Sequence, residues 1–481
     1  MLRIADLLTG VTGRMPPDTE WARKPLGPVV IDSREARPGA CFVALRGEHR
    51  DGHEFLAEVV SRGVSAIIAQ RGQVTRLSDC WLVDAHHLPS PLAPSDPTRP
   101  LCLLVEDSLE ALQRWAAYWR RQHQVRVVGV TGSIGKTTTK EMIGSVLSRQ
   151  FRTLKSEGNY NNEIGLPLTL LRLTPQHERV VVEMGMYALG EITRLAQIAQ
   201  PVIGVVTNVG PTHLERLGTL ERIAQAKREL VEALPPEGIA ILNGDDERVM
   251  AMASHTRARV LCYGLRTECE VWADGIISQG LGGVHFRLHH RGEVLHVETP
   301  LLGRHSVHTA LAAAAVGLVE GESWEDIVAG LEQIPVQLRL VALPGPDSST
   351  ILDDTYNASP ASTIAALNVL GELPGRRIAV LGDMLELGDF EEEGHRKVGR
   401  EALEVVDMLV TVGRLGRITG REALAWGMGE AQVLMLEDNQ AAIAHLRKLI
   451  KRDDVILVKG SRGMAMEEIV NALAKSPESR G

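Results

Sequence analysis

The chain has 481 residues, too many for one hydrophobic core and enough for roughly two to four domains. A formal charge of −9 argues against a nucleic-acid surface, and no apolar run approaches the ~18 residues of a membrane span. Apolar residues at 44%, aromatics at only 4%, and 46 glycines suit an α/β enzyme rich in strand–loop–helix junctions.

Residues 1–106 form the first predicted domain, with short strands at 29–31, 41–45 and 64–68. Pro89, Pro91, Pro94, Pro97 and Pro100 enforce an extended segment. An apolar strand at 101–105 follows it, so a loop inside the first domain is expected. Asp107-Ser108-Leu109-Glu110 then reads as a capping box opening a helix through about Gln122. Residues 107–333 alternate strand and helix, with strands at 125–130, 179–183, 202–207 and 239–242. That alternation predicts a parallel sheet covered on both faces, with ligands at the carboxyl ends of its strands. Residues 334–481 repeat the style with strands at 351–353, 378–381, 408–412, 433–436 and 455–458, a smaller Rossmann-like α/β domain. Asp6, Asp18 and Glu20 stand where a secretory signal would be apolar. Five cysteines without C-x-x-C spacing predict reduced thiols and a cytoplasmic setting.

The most informative segment runs from Gly129 to Lys140, G-V-T-G-S-I-G-K-T-T-T-K. An apolar strand, a glycine-rich turn ending in Gly-Lys-Thr, and a helix make a phosphate-binding loop. Thr131, Gly132, Ser133, Ile134, Gly135, Lys136, Thr137 and Thr138 would cradle a nucleoside triphosphate, with Lys136 on the terminal phosphates and Thr137 on magnesium. Val130 occupies the position where the common pattern has its first glycine. Glu183, at a neighbouring strand tip, is where magnesium would be held. His213 follows another strand of the same sheet, which leaves both a structural and a functional reading open on position alone.

Further strings extend the pattern: S-E-G-N-Y-N-N-E-I-G-L-P-L-T-L-L from Ser156, V-V-E-M-G from Val181, and N-V-G-P-T-H-L-E-R-L-G-T from Asn208. A-K-R-E-L from Ala226, D-D-T-Y-N-A-S-P from Asp353, L-G-D-M-L-E-L-G from Leu381 and L-V-K-G-S-R from Leu457 complete the set. Together they resemble the Mur ligases over nearly the whole chain. N-Y-N-N-E-I-G and D-x-Y-N-A-S-P point to the branch that adds a dipeptide.

The resemblance implies an α/β protein of three domains: an N-terminal UDP-substrate domain, a central P-loop ATPase with a parallel sheet, and a C-terminal Rossmann-like domain closing over ATP. It implies a monomeric cytoplasmic enzyme, with no nucleic-acid partner and no stable membrane insertion. The implied reaction joins D-alanyl-D-alanine to UDP-N-acetylmuramoyl-tripeptide through an acyl phosphate, with ATP and Mg2+. Lys136, Glu183, His213 and Lys227 are then the catalytic candidates, and Thr137, Glu183, His213 and Lys227 the metal candidates. Lys227 would be carbamylated; from spacing alone it is a helix-surface lysine, and Arg228 stands where the family often has glycine. Ser33, Arg34, Asn161, Asn162, Tyr356, Asn357, Lys459 and Arg462 match substrate-region positions, while Arg339 and Asp354 match nucleotide-region positions.

One departure concerns G-x-H-N-x-x-N, which the family uses around adenine. This chain has Gly303-Arg304-His305-Ser306-Val307-His308-Thr309, with Ser306 and Thr309 replacing both asparagines. A hydroxyl lacks the paired donor and acceptor of an amide, so altered base contacts are expected. A sibling ligase adding one amino acid, and an ATP-gated binding module without turnover, are the alternative readings.

Overall fold

The computed structural model describes residues 1–47, 50–74, 77, 79–212, 214–333 and 340–475. His213 and Arg339 lie outside the described residues. The chain divides into two compact units, residues 1–129 with 151–185 and 191–202, and residues 130–150 with 186–190 and 203–481.

In the first unit a five-stranded sheet runs in the order Val29–Val30, Cys41–Val43, Ala66–Gln70, Leu101–Val105, Trp81–Asp84. Every pairing is parallel. Phe42, Ile67 and Cys102 bury one face against Leu56 and Val59. The proline-rich segment joins two strands of this one sheet, so it is a loop inside the sheet domain as expected. Strand Trp81–Asp84 was not anticipated, because its burial is partial and Leu82 is exposed. Asp107 Oδ1 accepts from Leu109 N and Glu110 N and starts helix Ser108–Arg121, the Asp107 half of the predicted capping box, while Glu110 Oε1 accepts from Arg114 instead. The unit also pairs Thr153–Lys155 with Arg179–Glu183 in parallel.

In the second unit the strand order is Glu293–Thr299, Val284–His290, Val271–Ser278, Arg259–Gly264, Ile239–Asn243, Ile203–Val206. The last three neighbours pair in parallel, as alternation of strand and helix predicted. The first three strands are antiparallel, a correction to the expected all-parallel sheet. Their sequences alternate buried and exposed residues, and Arg291-Gly292 supplies the two positive φ values that a tight hairpin needs. The second sheet of the unit runs Val341–Pro344, Thr350–Asp353, Val455–Lys459, Arg377–Leu381, Met408–Val412, Val433–Leu436. Successive residues of its strands enter opposite layers: Ile351, Val380 and Ile456 in one core, Leu352, Ala379 and Leu457 in the other.

A second correction concerns the thiols. Cys262 and Cys269 are bonded through their sulfurs, with Cα atoms 4.8 Å apart, while Cys41, Cys80 and Cys102 are free and buried. The short connection between strands Arg259–Gly264 and Val271–Ser278 brings the two together. Among the described residues no helix is long and apolar enough to cross a membrane.

Candidate active site

The phosphate loop follows strand Arg126–Thr131 and opens helix Lys136–Leu147. Gly132 has φ +151°, and a Cβ there would lie 1.9 Å from Thr207 Oγ1. Gly135 takes φ +81° immediately before the helix. Both conformations favour glycine, which explains the turn's composition.

Residues after strand Ile203–Val206 hold the loop in shape. Asn208 accepts from Ile134 N at 2.9 Å through Oδ1 and donates to Ile134 O at 3.0 Å through Nδ2. Ser133 N donates to Asn208 O, Thr207 Oγ1 donates to Ile134 O, and Gly210 N donates to Ser133 Oγ. These bonds fix the cradle's backbone through the chain's own groups. Lys136 Nζ lies across it, donating to Gly132 O at 2.9 Å and Ser133 O at 3.2 Å. Thr131 and Ser133 are buried, whereas Ile134 through Thr138 are partly open.

Lys227 lies in helix Leu220–Glu232, capped by Thr219. It is not a surface lysine: only 2% of it is exposed. Burial, and then the Lys136 charge, push its ammonium well below the ordinary lysine range. The neighbouring Arg228 turns outward to Glu232 at 2.7 Å.

In the first unit, Glu183 is 1% exposed and its Oε1 accepts from Asn161 Nδ2 at 2.8 Å. Asn162 instead caps its own turn, accepting from Ile164 N and Gly165 N. Ser33 is buried in a turn where Arg34 pairs with Asp32. That guanidinium holds the Asp32 carboxyl down at about 2. Arg34 is itself largely exposed, so its fork could exchange Asp32 for a phosphate.

At the sheet ends of the second unit, Lys459 is 2% exposed and bonds Asp354 Oδ2 at 2.6 Å and Asn357 O at 2.8 Å. Parallel strands Thr350–Asp353 and Val455–Lys459 deliver both members of this pair. Tyr356 is partly exposed beside it. Arg462 stands apart, an exposed residue paired with Glu467 at 2.9 Å.

Sequence alone reads His308 as a helix-surface residue or one that stacks on the base, and passes over its partner. Beyond strand Ile239–Asn243, Asp245 accepts from His308 Nε2 at 2.8 Å and Leu265 N at 2.7 Å. Both line a cavity of about 490 Å³ together with Asn208, Asn243 and Arg266. An acidic pair directly after a parallel strand was the available signal. Ser306 and Thr309 are buried away from it, and Ser306 Oγ donates to Gly303 O at 2.6 Å.

Three family models match in chain order: Mur ligase family, catalytic domain, at residues 28–120; Mur ligase middle domain at 130–317; and Mur ligase, glutamate ligase domain, at 339–462. A UDP-N-acetylmuramoyl-tripeptide–D-alanyl-D-alanine ligase of Bacillus subtilis is 36% identical over 94% of each chain. The chain belongs to the Mur ligase family. A solved MurF structure from Acinetobacter baumannii superposes with TM-score 0.82 at 33% identity, covering 97% of both chains. A Thermotoga maritima MurF ligase in complex with ADP gives 0.75 at 29% identity, covering 92% of this chain and 96% of that one. The three Mur ligase segments and the mixed α/β sheets agree with the three-domain α/β architecture expected from sequence.

Proposed function

We propose that this chain is an ATP-dependent ligase that joins D-alanyl-D-alanine to UDP-N-acetylmuramoyl-tripeptide in the cytoplasmic stage of peptidoglycan precursor synthesis. A phosphate loop on a chain similar end to end to ligases of that name carries the reading. We assign residues 1–106 to the UDP-substrate, 107–333 to ATP and 334–481 to closure over ATP and dipeptide.

A carboxylate is a poor electrophile, so it must first be given a better leaving group. The peptide carboxylate oxygen attacks the γ-phosphorus of ATP, the bond to the β–γ bridging oxygen breaks, and ADP leaves. The amine of D-alanyl-D-alanine then attacks the acyl carbon. The bond to the phosphate oxygen breaks, phosphate departs, and the nitrogen loses a proton. Each step gathers negative charge, so fixed positive groups supply much of the stabilisation. Lys136 and the opening of helix Lys136–Leu147 would hold the terminal phosphates. Gly132 and Gly135 keep the backbone close to the anion.

Thr137, Glu183, His213 and Lys227 are the residues assigned to magnesium, which would offset the repulsion between ATP and the attacking carboxylate. Among the described residues no group of three His, Cys, Asp or Glu is arranged for a metal. A hard cation would thus depend on the Thr137 hydroxyl, Glu183, phosphate oxygens and a carbamate. The buried Lys227 supports that last ligand. An amine held neutral can form an N–C bond with carbon dioxide and release a proton to water, leaving an anionic oxygen pair. Asp354, Tyr356, Asn357 and Lys459 are assigned to the ribose and dipeptide regions, Arg339 to phosphates, Ser33 and Arg34 to the UDP group, and Asn161 and Asn162 to the acceptor region. Arg462 is assigned to an anion after release from Glu467.

The test is phosphate release with ATP and magnesium, omitting and restoring each substrate, with mass spectrometry of the product. Release that needs both UDP-N-acetylmuramoyl-tripeptide and D-alanyl-D-alanine, with a dipeptide mass gain, is expected. Release with a single amino acid would move the chain to a sibling activity.

A further inference from the structure

We propose that His308, positioned by Asp245, reads the base of the bound nucleotide and selects adenine over guanine; this rests on the ATP-binding reading above. The cavity containing the pair begins at Asn208, the residue that grips the phosphate loop at Ile134. A nucleotide with its phosphates on the loop would extend its nucleoside along this cavity.

Both amides that line the cavity are already engaged, and the Asp246 carboxylate accepts from Val209 N and Arg248 N. The Asn208 amide is used on Ile134 in both directions. Asn243 donates to Thr207 O at 2.8 Å and accepts from Asp245 N at 3.0 Å. Ser306 and Thr309, the positions corresponding to amides in the related pattern, are 3% and 9% exposed. His308 differs. It sits in the first turn of helix Ser306–Glu320 with 28% of its side chain exposed, and it lines the cavity.

The Asp245 carboxylate can only accept from Nε2, so it fixes the proton there. Nδ1 is left as an acceptor, and it makes no hydrogen bond among the described residues. Adenine offers a matching donor in its exocyclic amine. Guanine carries a carbonyl oxygen at that ring position, which would face Nδ1 lone pair to lone pair. Asp245 is thus a positioning residue: it acts through the His308 tautomer.

The experiment is calorimetric titration of ADP and GDP, each with magnesium and no acceptor, into the full-length chain and its variants. Wild type should prefer ADP. His308→Ala should weaken ADP about tenfold, the value of one hydrogen bond near 1.4 kcal/mol, and change GDP less than about twofold. His308→Phe should match the alanine variant; retained ADP affinity would mean stacking and overturn the acceptor role. In Asp245→Ala nothing holds the ring proton on Nε2, so the preference for ADP over GDP should narrow severalfold. Equal losses for both nucleotides, or none, would overturn the proposal. A failed ligase reading looks different: wild type would keep its ADP preference without acceptor-dependent phosphate release.

Discussion

Replacing Gly132 with alanine tests the phosphate loop most directly. The added Cβ would sit 1.9 Å from Thr207 Oγ1 and 3.0 Å from Thr207 Cβ, roughly 1.5 Å inside ordinary contact. Thr207 is 6% exposed and its hydroxyl donates to Ile134 O at 2.7 Å, so it cannot step aside without giving up that bond. Losing the bond costs ~1 kcal/mol, and a side chain at φ +151° adds about 1–3 kcal/mol. Gly132→Ala should therefore cost roughly 2–4 kcal/mol and lower the melting temperature by roughly 3–6 °C. Displacing the loop by about an ångström should cut turnover on the order of 10²-fold. Thermal unfolding and acceptor-dependent phosphate release measure the two effects. Gly13→Ala is the control: its φ is +72° with nothing within 4 Å, so about 1 kcal/mol and unchanged turnover are expected. Wild-type turnover in Gly132→Ala, or equal damage in Gly13→Ala, would refute the reasoning.

Lys227→Ala should nearly abolish turnover, with partial recovery in acetate or another short carboxylic acid; turnover at the wild-type rate would exclude a carbamate. Lys227→Met should be inactive yet melt no lower than wild type, and retained turnover would leave this lysine a packing role instead. Asp354→Ala leaves the buried Lys459 ammonium unpaired and should destabilise by about 3–5 kcal/mol, with less loss when combined with Lys459→Met, as read from urea midpoints. His395 is fully buried, its Nε2 accepting from Met384 N and its Nδ1 bonded to Glu391 O, and burial lowers its folded pKa. Its contribution is present above the unfolded pKa near 6.5 and is lost as pH falls through the lower folded value. His395→Gln should flatten the fall in stability below pH ~6.5, and an unchanged slope would exclude this histidine as a source.

Legibility followed the strength of each local constraint. The phosphate loop was readable because Gly132, Gly135 and Lys136 meet a geometric and an electrostatic demand at fixed spacing. Helix Ser108–Arg121 was readable from its Asp107 cap, and five strands of the last sheet from their short apolar runs, whereas its edge strand Val341–Pro344, alternately exposed, was missed. Strands Val271–Ser278, Val284–His290 and Glu293–Thr299 were not, since one face is wet and carries His285, Arg287 and His296. The Cys262–Cys269 pairing depends on a turn that spacing alone does not specify. Lys227 presents the sharper lesson. Its helix is amphipathic, yet the lysine sits on the buried side between Ala226 and the core, which charge patterning would place in solvent. The His308–Asp245 pair joins residues 63 positions apart, beyond any local pattern.

Two ammonium groups that repel each other inside one site call for a reason. Lys136 lies across the loop on the Gly132 and Ser133 carbonyls, where its charge would stabilise bound phosphates. Lys227 meets both burial and that same charge, and each opposes its protonation. A neutral amine removes the repulsion but contributes no charge to a reaction that must bring two anions together. The proposed carbamate would reverse the sign: the desolvation that disfavours the ammonium would favour the nucleophilic amine that captures carbon dioxide, and the resulting anion would be attracted to Lys136 and to a divalent cation. Stability and activity should therefore separate at this position. Methionine keeps the packing and relieves the buried charge while removing the ligand, so turnover should be lost with stability retained; a lysine present only for packing would lose neither.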